Sequence, residues 1–136
     1  MKRTKGLVIS VTLALVLVVS ACIVWAYGNQ VSGTIDDVTY QFSNYISADQ
    51  KSASATTWLS SPSTDASVSV TFYWYIPGTT SQGSYTLGNG NYGEITVYAP
   101  TLPSSNMKYY KVVSNHIAGY HGINIYYPGL TTDLSK

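Results

Sequence analysis

The sequence predicts an all-β fold: a small antiparallel β-sandwich preceded by an N-terminal hydrophobic signal or anchor helix. Three observations carry this. Apolar residues after residue 26 recur with period two. Turn signals come about every ten residues, the spacing of sandwiches and small barrels. No segment after residue 26 sustains the 3.6-residue period of a helix.

The head comes first. Leu7 to Ala26 is the one long apolar stretch, and Lys2, Arg3 and Lys5 stand directly before it. As a helix it would span ~30 Å, about one bilayer core. Three readings follow. In the first, residues 1–26 are a secretory signal cut after Val24-Trp25-Ala26, which leaves Tyr27 as the new N-terminus. In the second, Val19-Ser20-Ala21-Cys22 is a lipobox and Cys22 is lipidated, although Ile23 to Ala26 continue apolar where lipoproteins turn polar. In the third the helix stays uncut as an anchor, with Trp25 and Tyr27 at the outer interface and the basic residues inside. A variant of the third sets Lys5-Gly6 as a prepilin-like processing site, without the acidic residue that pilins carry shortly after the cut. Each places the body outside the cell, or on the outer face of the cytoplasmic membrane.

The body, residues 27–136, reads as one domain. Its clearest strand is Ser67 to Ile76. Val68, Val70, Phe72, Trp74 and Ile76 share one face, and Ser67, Ser69, Thr71, Tyr73 and Tyr75 the other. That is a half-buried antiparallel strand. Asp36-Asp37 forms a tight turn into the strand Val38 to Ile46. Ser54 to Leu59 is a shorter strand, followed by a Ser/Pro-rich loop. Pro77-Gly78 ends the clearest strand. Ser84 to Leu87 and Glu94 to Ala99 flank Gly88-Asn89-Gly90-Asn91, a hairpin loop signal. Pro100 and Pro103 bracket a loop. Lys108 to Ser114 and Gly122 to Tyr127 form the last pair around Gly119. Pro128-Gly129 stops the final strand, and Thr131 to Lys136 is a frayed tail.

Composition narrows the function. The body sets four lysines against six carboxylates, a net −2, and has no arginine. Counterion release on a nucleic acid needs clustered Lys or Arg, so no nucleic-acid partner is expected. Cys22 is the only cysteine, so the body has no disulfide. With no Asn-x-Ser/Thr acceptor either, it fits a bacterial surface better than a eukaryotic secretory route.

Catalytic chemistry finds few parts. His116 and His121 are the only histidines, and three or four ligands with a second shell make a metal site. Both read as solvent-facing or turn-capping. No Gly-x-Ser-x-Gly elbow appears, and neither Glu94 nor Asp36-Asp37 resembles one of a buried carboxylate pair. No enzyme, metal or cofactor is expected. The 13 tyrosines all lie at or beyond Tyr27. Rings on a polar sheet face stack on sugars, seat at membrane interfaces or seal subunit contacts. Cross-strand pairing that steadies a sheet without disulfides is the plainer account of them. Tyr109, Tyr110, Tyr126 and Tyr127 are the candidate binding residues.

At Phe42-Ser43-Asn44-Tyr45, then Lys51 and Ser52-Ala53-Ser54-Ala55-Thr56-Thr57, the chain resembles the lactococcin-type β-sandwich bacteriocins of Gram-positive bacteria. The likeness covers about a quarter of the body. It implies a compact sandwich acting at the cell envelope. Ile46-Ser47-Ala48 stand where that family carries histidines, and strands are added from Gly83 onward, so no functional residue carries over. The stretch Tyr109 to Gly122 is also similar to small secreted Gram-positive proteins. The expected function is a secreted, non-enzymatic protein acting on a cell-envelope component or cell-surface protein, possessing membrane contact only through an uncleaved or lipidated head. The alternative is a structural or adhesive surface subunit; a secreted hydrolase stands third.

Overall fold

A computed structural model describes residues 26–136. The signal, anchor and lipidation readings of residues 1–25, including Cys22, lie outside the described residues. The described residues are all-β: two antiparallel four-stranded sheets. The strands are β1 (Ala26–Ile35), β2 (Val38–Ser47), β3 (Ala53–Leu59), β4 (Asp65–Tyr75), β5 (Gln82–Tyr92), β6 (Glu94–Tyr98), β7 (Lys108–Tyr120) and β8 (Ile123–Asp133). Sheet A has the order β1-β2-β3-β6, and sheet B the order β5-β4-β7-β8.

Alternation sets the faces. On β4, Ala66, Val68, Val70 and Phe72 are buried, while Ser67, Thr71, Tyr73 and Tyr75 are only partly covered on the outer face. One apolar cluster packs Ile46, Ala53, Ala55, Val68, Val70, Phe72, Val97, Tyr109 and Val112. A second packs Ile35, Val38, Phe42, Leu59, Ala66, Ala118 and Leu130. Each inward face carries a polar residue between the two clusters: Asn44 on β2, Thr57 on β3, Ser114 and His116 on β7. All four are buried, as is Thr132 on β8.

Asp36-Asp37 turns between β1 and β2, and Asp36 takes φ 51°. β1 is a full strand, paired with β2 over its whole length. Its Gly28, Asn29, Gln30 and Gly33 are poor strand formers, and pairing with the strong β2 overrides them. Three sequence expectations change. First, Gly88 to Asn91 is not a hairpin loop. β5 runs through it, pairing with β4 without a break, and β6 pairs with β3 in the other sheet. The chain changes sheet at Gly93, the single residue between them, with φ 73°. Second, β7 extends to Tyr120, and the turn is His121-Gly122, not Gly119. Both have positive φ, 50° and 75°, the geometry of the tight primed hairpin turn. Third, Pro128-Gly129 does not end β8. It forms a bulge opposite Asn115, with Gly129 at φ 71° and its N–H donating to Asn115 Oδ1 at 2.9 Å. Beyond it Leu130 and Thr132 are buried, so Thr131 to Asp133 is strand and not a frayed tail.

Candidate functional site

The four tyrosines expected to bind do not share a surface. Tyr109 is fully buried between the sheets, opposite Trp74 and 6.1 Å from the Phe72 ring. Its hydroxyl donates to the Pro100 carbonyl at 2.5 Å, and burial pushes its pKa up to about 12. Cross-strand pairing decides this: Tyr109 lies opposite the inward-facing Trp74, so it is a core residue although period two counted from Val112 would turn it outward. Tyr126 is 60% exposed and lies opposite Ile117. Tyr127, one residue on, takes the other face, opposite His116 and 6.3 Å from the Phe42 ring. Tyr110 stands seven residues along β7 from Ile117, roughly 24 Å at strand rise.

Tyr110 instead joins two tyrosines of β4. The β4–β7 register shifts between Tyr73, which faces Lys111, and Trp74, which faces Tyr109. Tyr110 is therefore the extra residue of a bulge, which re-aims a side chain. Its ring meets Tyr75 edge-on at 5.4 Å and Tyr73 tilted at 6.3 Å. Two ammonium groups lie over this cluster: Lys111 Nζ is 5.5 Å from the Tyr73 ring and Lys136 Nζ is 4.8 Å from the Tyr110 ring. Lys111 also lies 3.9 Å from Asp133 Oδ2. The Leu134 N–H donates to the Tyr110 carbonyl at 2.8 Å, which keeps the C-terminal segment beside the cluster. Toward β5 the same face offers hydroxyls, with Thr71 and Thr86 bonded at 3.0 Å. Half-buried rings, two cations and hydroxyls on one rigid sheet face make a surface suited to stacking and hydrogen bonding.

The sequence placed Tyr73 and Tyr75 on this face. Tyr110 joins them only through the bulge, which no period-two reading anticipates.

The histidines separate. His121 sits in the β7–β8 turn, exposed as expected, with Nδ1 3.4 Å from Asp36 Oδ2. His116 is not solvent-facing. It is fully buried and stacked 5.0 Å from the Phe42 ring. The Thr57 hydroxyl donates to the Ser67 carbonyl at 2.8 Å, so at its 2.8 Å contact with His116 Nδ1 it accepts. The proton is therefore on Nδ1, and Nε2 accepts from the Ser114 hydroxyl at 2.7 Å. Asn44 Nδ2 donates to Ser114 Oγ and to the Leu130 carbonyl, and the Thr132 hydroxyl donates to Asn44 Oδ1. Burial pushes the His116 pKa down to about 4, which keeps the ring neutral. Ser114 and His116 have the contact of a nucleophile and its base, but both are sealed in the core and Nδ1 faces a threonine where a triad has a carboxylate. The network ties β2 and β3 of sheet A to β7 and β8 of sheet B.

Compared with protein-family models, characterised proteins and solved structures, the chain matches none.

Proposed function

We propose that this is an exported, non-enzymatic β-sandwich that binds a glycan of the cell envelope through the outer face of sheet B. The observation that carries the reading is the cluster of Tyr73, Tyr75 and Tyr110 beneath Lys111 and Lys136. Tyrosine rings stack against the C–H faces of sugars, and their hydroxyls bond to the sugar rim. The two ammonium groups suit acidic substituents on such a polymer. The export reading of the head supplies the compartment.

The test is binding of the purified protein to isolated Gram-positive cell walls. Tyr73→Ala and Tyr110→Ala should each weaken binding at least tenfold. The pair Tyr126→Ala and Tyr127→Ala should leave it within twofold. Equal loss from both sets, or no binding by the parent, removes the reading. Growth inhibition of indicator cells at the same concentrations would make the binder bacteriocin-like, as the Ser43-Asn44-Tyr45 resemblance implies.

A further inference from the structure

A sheet edge presents unpaired N–H and C=O groups, and proteins defend such edges with charge, proline, bulges or shortness. Two of the four edges here are defended. β6 has five residues, begins at Glu94 and is followed two residues later by Pro100. β8 carries Pro128, a bulge and Asp133. β1 is uncharged, but its central apolar residue, Val31, packs on the core and its Asn29 Nδ2 donates to the Thr131 carbonyl of β8 at 2.5 Å. β5 has none of these devices. It is 11 residues long, has no charge, no proline and no bulge against β4, and leaves Leu87 at its centre 38% exposed.

The β5 sequence is also complementary to itself. An antiparallel copy centred on Leu87 sets Leu87 against Leu87. On the inward face it sets Tyr85 against Asn89 and Gly83 against Asn91. On the outward face it sets Thr86 against Gly88, Ser84 against Gly90 and Gln82 against Tyr92. Side chains with bulk meet glycines, tyrosines meet amides, and no like charges meet. Shifting the register by one residue loses the leucine pair and opposes the two face patterns.

We propose that β5 pairs antiparallel with β5 of a second copy about a two-fold axis through Leu87, joining two four-stranded sheets into one of eight. The contact is isologous and closes at the dimer. The axis is perpendicular to the sheet, so both copies present the Tyr73, Tyr75 and Tyr110 face on the same side. This proposal stands on the edge alone and does not depend on what that face binds.

The experiment uses the full chain as the expressing cell delivers it, in detergent if it stays with the membrane. Sedimentation should show a concentration-dependent doubling of protein mass. Leu87→Lys sets two ammonium groups on the axis and should raise the dimer dissociation constant at least tenfold. Ser32→Lys, on β1, should leave it unchanged. In a Cys22→Ser background, Leu87→Cys should cross-link to a covalent dimer under dissolved oxygen, because the paired Cα atoms are about 4.5–5.5 Å apart. Thr86→Cys, which faces Gly88 of the mate, should cross-link at least fivefold less. The cysteine pair needs no charge on the edge, so it reports even if Leu87→Lys folds poorly. A monomer at all concentrations with no Leu87→Cys cross-link overturns the proposal. So does dissociation by Ser32→Lys alone. A monomer that captures an extended peptide along β5 also overturns it, and gives the edge to a different protein.

Discussion

His116 shows how a single residue couples the core to pH. Its imidazole is stacked on Phe42 and bonded on both nitrogens. Protonating Nε2 would turn it from acceptor to donor toward Ser114 Oγ, which already receives Asn44 Nδ2. The folded state therefore holds the proton less tightly than the unfolded chain, with a pKa of about 4 against 6.5. Between those values the unfolded state binds more protons, so stability rises with pH. The contribution is complete above about pH 6.5 and is lost as pH falls through about 4, by roughly 3 kcal/mol at the limit. Urea unfolding at several pH values should show this decline, and His116→Gln should flatten it across that window. Asp49, which accepts from the Ser47 hydroxyl and the Lys51 N–H, has its pKa lowered below 3.8. It acts below the histidine window and is unchanged in the variant. Equal slopes in parent and variant would assign the pH dependence elsewhere.

At the scale of the element, the strand faces were legible and the connections were not. Ser67 to Ile76 alternates without a break, so Phe72 went inward and Tyr73 outward, as β4 has them. Gly88 to Asn91 and Pro128-Gly129 have the chemistry of turns, yet both lie within strands. An edge strand accepts glycine because only one side of its backbone is paired, and a bulge uses the positive φ that glycine permits. The actual crossing is Gly93, which is buried, with its N–H donating to the Thr64 carbonyl and its carbonyl accepting from Leu59. Its φ of 73° disfavours any side chain by about 1–2 kcal/mol, and a Cβ there would meet Pro62 Cα at 3.1 Å. Gly122 has a similar φ of 75° but open space around it. Gly93→Ala should therefore lower the urea midpoint more than Gly122→Ala. Equal losses would mean that the backbone angle alone sets the cost. The candidate site was half legible for a related reason: alternation placed Tyr73 and Tyr75, while the bulge that brings Tyr110 to them depends on the register between two strands far apart in sequence.

At the scale of the molecule, neither sheet is a continuous piece of chain. Sheet A takes β1, β2, β3 and β6, and sheet B takes β4, β5, β7 and β8. The chain crosses between them after β3, at Gly93 and again between β6 and β7. Releasing β6 strips an edge from sheet A while its neighbour β5 remains in sheet B. The buried network adds a second coupling, because losing either sheet leaves Asn44 or His116 without partners, at about 1–3 kcal/mol for each orphaned group. The sheets should therefore unfold together. Trp58 on β3 and Trp74 on β4 report on one sheet each. In a Trp25→Phe background, Trp58→Phe and Trp74→Phe leave one indole apiece. Each variant's fluorescence transition should coincide with its own far-UV circular dichroism transition, as two-state unfolding requires. If the Trp58 signal moved at lower urea than the dichroism, sheet A would be opening by itself. The crossings and the polar layer would then be too weak to bind the two sheets into one cooperative unit.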